Sequence, residues 1–148
     1  MSAELMKHDM IREFTTIWMD TIRDGKFTLA NTNKMIKYYQ GATGLKTGFT
    51  TEAMYCISAT AQRSGVELIA VVMGAQTIPD RTRDASKLLD YGFARFENLD
   101  VGADICLPEI PVSLGEQKTV LPVLFEKNSM IIEKNRLAGI EKRVSVSE

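Results

Sequence analysis

The chain has 148 residues, 18 Lys and Arg against 19 Asp and Glu, a formal charge of −1, 45% apolar and 25% charged residues, 10 Gly and 4 Pro. Those values exclude a collagen-like, coiled-coil or disordered chain and supply no overall basic character for a nucleic-acid partner. No run reaches the roughly 20 apolar residues of a membrane span, and residues 1–9 are too charged for a signal peptide. Cys56 and Cys106 are far apart and form no C-x-x-C pair, which excludes a zinc ribbon, a thioredoxin-type centre and a disulfide-dense scaffold. His8 is the only histidine, so neither H-E-x-x-H nor a Ser-His-Asp triad can be assembled within this sequence. His8 itself is expected on the surface of a helix, without a catalytic role.

In chain order, Leu5, Met6, Met10 and Ile11 recur at helical spacing and predict a helix over 2–14 with Ser2 as its N-cap. Residues 14–22, β-branched around Trp18, predict a strand. Asp24-Gly25 is a turn signal before a short return over 27–29, and Asn31-Thr32-Asn33 is loop chemistry. Trp18, Phe14 and Phe27 are expected as core or groove-wall aromatics. A short strand over 45–50 precedes a β-prone run over 55–61, in which Cys56 is expected as a small buried hydrophobe. Ser64-Gly65 turns the chain, and 66–73 is so apolar that it predicts a central strand covered on both faces. The short turns favour antiparallel pairing.

Pro79 opens a predicted helix with Ala85, Leu88, Leu89, Phe93 and Phe96 on one face and Asp80 and Asp84 near its positive end. After Asn98, Gly and Pro punctuate short β-prone runs at 110–114, 119–125, 130–133 and 143–146. About fifty such residues are too few to close a stable sandwich. The expected architecture is therefore α+β, an antiparallel sheet flanked by helices over 1–98, followed by an incomplete β-rich domain over 99–148. The charges from Glu126 to Arg143 are expected to be solvated.

The chemistry concentrates at Lys46-Thr47-Gly48. Alone the tripeptide is a weak signal, but it precedes two strongly predicted strands and a long helix, the setting of the K-T-G element in penicillin-binding proteins and β-lactamases. The stretch Gly44-Leu45-Lys46-Thr47-Gly48-Phe49-Thr50, followed by Glu52-Ala53-Met54-Tyr55-Cys56, resembles the D-alanyl-D-alanine carboxypeptidases among the low-molecular-weight penicillin-binding proteins. Arg63, Leu68-Ile69-Ala70-Val71-Val72-Met73-Gly74 and Lys87-Leu88-Leu89-Asp90-Tyr91-Gly92-Phe93 continue the resemblance in order.

That resemblance implies a penicillin-binding/β-lactamase-like catalytic domain over 1–98 and roles for particular residues. Lys46, on a strand lining the site, would bind the terminal carboxylate of the substrate and bias nearby proton transfers. Thr47 would offer its hydroxyl to the same carboxylate. Gly48 would let the D-Ala-D-Ala backbone lie against the strand. The backbone N–H of Phe49 would form half of an oxyanion hole, at a position where many relatives carry His. Arg81, with Arg83 as its alternative, would help hold the carboxylate from the start of the helix. No serine here has a lysine three positions on, and S-x-N is also absent, so the family's nucleophile and base are not in this sequence. The expectation is the C-terminal portion of a serine carboxypeptidase, inactive alone, without metal or organic cofactor. Its partners would be peptidoglycan stem peptides ending in D-Ala-D-Ala, and β-lactams. Action would be on the cell-wall side of the membrane, any membrane contact being made by segments absent here. The alternative is a non-enzymatic peptidoglycan-binding or structural protein that keeps the K-T-G strand; a β-lactamase is disfavoured by the β-rich tail.

Overall fold

The computed structural model describes residues 1–102, 107, 109–116, 118–121 and 129–143. The chain divides into two compact units, Met1–Arg95 and Phe96–Glu148. In the first, two short helices, α1 (Ser2–Leu5) and α2 (Asp9–Thr15), precede a hairpin of β1 (Met19–Ile22) and β2 (Phe27–Ala30). A single turn of helix, α3 (Met35–Tyr38), leads into the antiparallel strands β3 (Ala42–Thr50), β4 (Met54–Arg63) and β5 (Val66–Ala75), and α4 (Ile78–Arg95) closes the unit.

Strand order in the larger sheet is β3-β4-β5, so β4 is central and β3 is an edge. The core lies between this sheet and α4. It joins Ile57, Ala59 and Ala61 of β4 and Ala70 of β5 to Ala85 and Leu89 of α4 and Met35 of α3. Alanines on both layers let the helix approach closely, and a Cβ built at Gly92 of α4 would stand 2.5 Å from Leu68 Cδ1. Gly41 meets a stricter demand: it adopts φ +79°, and a Cβ there would stand 2.5 Å from the Gln62 carbonyl oxygen. Arg63 stacks on both Tyr39 and Phe93, 4.6 Å from each ring centre. Tyr39 donates to Asp90 at 2.6 Å; burial, then this bond, raises its phenol above the ordinary tyrosine range.

Several sequence expectations give way. The single helix over 2–14 is two helices broken at 6–8. Ser2 is not a cap but lies within α1, its hydroxyl 2.9 Å from that of Ser58. Of the periodic apolar set only Met6 is buried, its sulfur accepting from Thr60, while Leu5 and Met10 are exposed. Phe14 is helical, so the strand expected over 14–22 shrinks to β1. Phe14 and Trp18 line a groove with Leu29, whereas Phe27 lies on an exposed strand beneath Arg23. Among the described residues the run over 66–73 lies at the end of the sheet, with Ile69, Val71 and Met73 exposed: apolarity does not reveal which strand is central. Leu88 faces solvent and Phe96 starts a strand, so neither joins the apolar face of α4. Cys56 is half-buried, with its thiol 3.1 Å from the Ala53 carbonyl. His8 is exposed at the N-cap of α2.

In the second unit β6 (Phe96–Asp100) pairs antiparallel with β9 (Ser129–Glu133), and β7 (Ile110–Pro111) with β8 (Thr119–Val120). A 3-10 turn follows at Lys134–Gly139. The runs expected at 110–114 and 119–125 appear as two-residue strands, with 122–125 outside the described residues. Of the strand expected over 143–146, Arg143 is described and lies in no strand, while 144–146 fall outside the described residues, as do Cys106 and Glu126. Among the described residues no helix is long and apolar enough to cross a membrane.

The start of α4 is fixed locally. The Thr77 hydroxyl donates to the Asp80 carboxylate at 2.6 Å and accepts from the Asp80 backbone N–H at 3.2 Å. The bond from Thr77 is the main reason the Asp80 carboxyl lies below the usual range, and Arg83 lowers it further. Thr77→Ala is expected to lower stability by about 1 kcal/mol at neutral pH, read from thermal unfolding. A depressed carboxylate stabilises above its unfolded pKa of roughly 3.9 and loses that contribution as pH falls through the lower folded value. The difference between Thr77→Ala and the parent should therefore narrow in strong acid.

Candidate active site

Lys46, Thr47, Gly48, Phe49 and Arg81 all line one pocket of about 450 Å³, together with Thr32, Lys34, Tyr55 and Ile78. Four of these come from consecutive positions of β3, whose register sets Lys46 opposite Ser58, Thr47 opposite Ile57, Gly48 opposite Cys56 and Phe49 opposite Tyr55. Alternate side chains point to opposite faces of a strand. They can share a pocket here because β3 is an edge, and among the described residues no strand pairs with its outer side. A free edge of this kind accepts an extended peptide as an added strand.

Thr47 points inward and is 8% exposed, with its hydroxyl 2.8 Å from that of Thr32. Lys46 is exposed, and its ammonium donates to the Thr47 carbonyl. A Cβ at Gly48 would meet no atom within 4 Å, so packing within the chain does not require glycine there. The space over Gly48 is open to a ligand backbone. The Phe49 ring packs on Tyr55 with centroids 4.6 Å apart.

Arg81 reaches the pocket from the first turn of α4. It is 5% exposed, its guanidinium 6.0 Å from the Tyr55 ring centre and 3.3 Å from the Cys56 carbonyl. Its Nε is buried without a hydrogen-bond partner, and no carboxylate among the described residues pairs with it. Burial lowers its pKa, opposed by Cys56 and Tyr55. A buried cation lacking an acid is costly to the fold unless something anionic enters beside it. Arg83, the sequence alternative, is spent elsewhere: it pairs with Asp80 at 2.8 Å and Asp84 at 3.3 Å and lines a different pocket.

Sequence reasoning passed over Thr32, Lys34 and Ile78 as pocket residues. Thr32 sits within the Asn-Thr-Asn turn, whose composition signals a turn but not what the turn faces. Tyr55 was visible in the resemblance, but its packing on Phe49 and Arg81 was not. Among the described residues no group of three or more His, Cys, Asp or Glu is placed to hold a metal ion.

A protein-family model described as D-alanyl-D-alanine carboxypeptidase matches residues 1–77. The D-alanyl-D-alanine carboxypeptidase DacF of Bacillus subtilis is 34% identical across the whole of this chain, which covers 39% of DacF. The D-alanyl-D-alanine carboxypeptidase of Streptomyces sp. strain K15 is 45% identical over 45% of this chain and 23% of its own length. Among solved structures, the Streptomyces K15 DD-transpeptidase superposes with a TM-score of 0.57 at 36% identity, covering 60% of this chain and 37% of that one. Cefotaxime-bound penicillin-binding protein D2 of Listeria monocytogenes gives 0.57 at 39% identity, over 62% of this chain and 37% of that one. The chain thus spans two fifths or less of the length of these relatives. The α+β fold with its antiparallel sheet is the one these structures share. By this similarity along its whole length and by the family match over its first 77 residues, the chain belongs to the D-alanyl-D-alanine carboxypeptidase family.

Proposed function

We propose that this chain forms the substrate-carboxylate half of the active site of a serine-type D-Ala-D-Ala carboxypeptidase. The observation that carries the reading is Arg81, a buried guanidinium without an acid among the described residues, meeting Lys46, Thr47 and Gly48 in one pocket at an edge strand of the described sheet. Of the pocket's cations and hydroxyls, Lys46, Arg81 and Thr47 are the set that would bind a terminal carboxylate. The D-Ala-D-Ala end of a peptidoglycan stem peptide lies along β3 as an added strand, and Gly48 leaves room for its backbone. Lys46, Thr47 and Arg81 hold its carboxylate, and the Phe49 backbone N–H serves as one oxyanion donor. Removing one such donor costs about 3–4 kcal/mol in barrier.

The nucleophile is a serine outside this sequence, activated by a lysine in the family's S-x-x-K. Its oxygen attacks the carbonyl of the penultimate D-Ala and its proton passes to the base; collapse of the tetrahedral adduct expels D-alanine, which takes up a proton. Water then cleaves the acyl-enzyme and restores the serine. β-Lactams acylate the same serine; cefotaxime bound to the Listeria relative is in keeping with this. The 1–98 segment is the C-terminal part of the catalytic domain and 99–148 the start of a β-rich domain. The protein acts on the cell-wall side of the cytoplasmic membrane, where its relatives' substrate resides.

On this reading the 148-residue chain by itself forms no covalent adduct with a fluorescent penicillin, whereas the gene product carrying an S-x-x-K serine is labelled. Labelling of the 148-residue chain would place a nucleophile within it and overturn the assignment. Absence of labelling in both would favour the second reading, a non-enzymatic peptidoglycan-binding or structural protein that retains the K-T-G strand.

A further inference from the structure

We propose that Thr32 is a positioning residue for substrate binding that acts through Thr47, with the Asn31-Thr32-Asn33 turn as the clamp that holds it in place; this rests on the carboxypeptidase reading above. The two hydroxyl oxygens are 2.8 Å apart although the residues come from a loop and from β3, 15 positions apart. A hydroxyl has one proton and two acceptor sites. Thr47 is buried, so water does not compete freely for its lone pairs. If the Thr47 proton points at Thr32, none is left for a substrate carboxylate. When Thr32 donates instead, the Thr47 proton is released toward the pocket and strengthened as a donor by the bond it accepts. An anion in the pocket selects that second arrangement, and a Thr32 hydroxyl held at a fixed distance makes it available without a search.

The turn is built to fix that distance. Asn33 is 2% exposed, and both ends of its amide are used: Nδ2 donates to the Gly44 carbonyl on β3 at 2.8 Å, and Oδ1 accepts from the Met35 N–H at 3.1 Å. Asn31 accepts from the Asn33 N–H at 2.9 Å and donates to the Ile17 carbonyl at 3.0 Å. Thr32 is thus pinned on both sides, to the chain before β1 and to the strand that carries Thr47. A loop that served only to connect β2 to α3 has no need of a buried asparagine bonded at both ends of its amide and tied to β3.

The test uses the intact gene product, with release of D-alanine from a short acyl-D-Ala-D-Ala peptide as the readout. Thr32→Val keeps the shape and removes the hydroxyl. It is expected to raise KM roughly five- to tenfold, the loss of about one hydrogen bond, with kcat within about twofold, because the carboxylate is held equally in ground and transition states. Thr32→Ser should restore KM. In a Thr47→Val background Thr32→Val should add less than about twofold, since its route to the substrate is already gone. Thr32→Val equal to the parent, Thr32→Ser as impaired as Thr32→Val, or effects that multiply with Thr47→Val would each overturn the proposal while the carboxypeptidase reading stands. A parent protein that releases no D-alanine overturns that reading, and this proposal with it.

Discussion

Lys46→Met in the intact protein is expected to lower kcat/KM for a D-Ala-D-Ala peptide by roughly 10²–10³-fold, the largest effect of any single substitution here. Removing one member of a buried, hydrogen-bonded charge pair costs about 2–5 kcal/mol, because the partner charge is left without compensation. The Lys46 ammonium bonds to the neighbouring Thr47 carbonyl, a bond that substrate can replace without disturbing the core. The side chain is exposed and contributes nothing to the cluster of Ile57, Ala59 and Leu89, so the melting temperature should move little. Steady-state D-alanine release and the rate of penicillin acylation, measured on the same preparation, check both halves. A loss below about tenfold with folding intact would remove Lys46 from the reaction.

Arg81→Leu should separate function from stability in a way few buried substitutions do. Exchanging a buried charge that has no acid among the described residues for an apolar side chain removes its desolvation cost, so thermal unfolding should change little. Activity should fall: kcat/KM for a peptide with a free terminal carboxylate is expected to drop roughly 10²-fold, as when a charge-assisted hydrogen bond is removed from a desolvated pocket. The control is the same peptide with an amidated C-terminus. It lacks the carboxylate, so parent and Arg81→Leu should handle it equally poorly. A loss that is the same on both substrates would assign Arg81 to the fold instead. Arg83→Leu, which removes ion pairs to Asp80 and Asp84 at the surface, should leave the carboxylate preference intact.

The pocket proposed as the site was legible in residues 44–50 because its lining is local. One strand supplies Lys46, Thr47, Gly48 and Phe49, and a strand of four consecutive site residues can be read as a string. Arg81 was legible for a different reason, its distance from Lys46 and its register with Lys87-Leu88-Leu89 in the family pattern; on residue chemistry alone Arg83 was as good. What separates them is the pitch of α4, which buries Arg81 against β4 and turns Arg83 outward to two aspartates.

Thr32 was not legible. Its partner Thr47 is reached only after the chain passes through α3, and turn composition carries no record of such a long-range bond. The N-terminal segment misled because its apolar periodicity is genuine but most of it faces outward: Leu5, Met10 and Phe14 are exposed while Met6 alone is buried. Periodicity reports a face, not whether a partner covers it. The same limit made 66–73 read as a central strand when β4, with its small and polar Ala59, Thr60 and Ala61, holds that place.

By itself, then, the sequence determined the α+β class, the antiparallel succession of β3, β4 and β5, the long helix after them and the family, because each depends on local pattern or on motifs that survive as contiguous strings. Only the tertiary structure decided which strand is central, which arginine is buried, and which loop residue meets Thr47. Those outcomes come from packing between segments far apart in the chain, which local sequence pattern does not record.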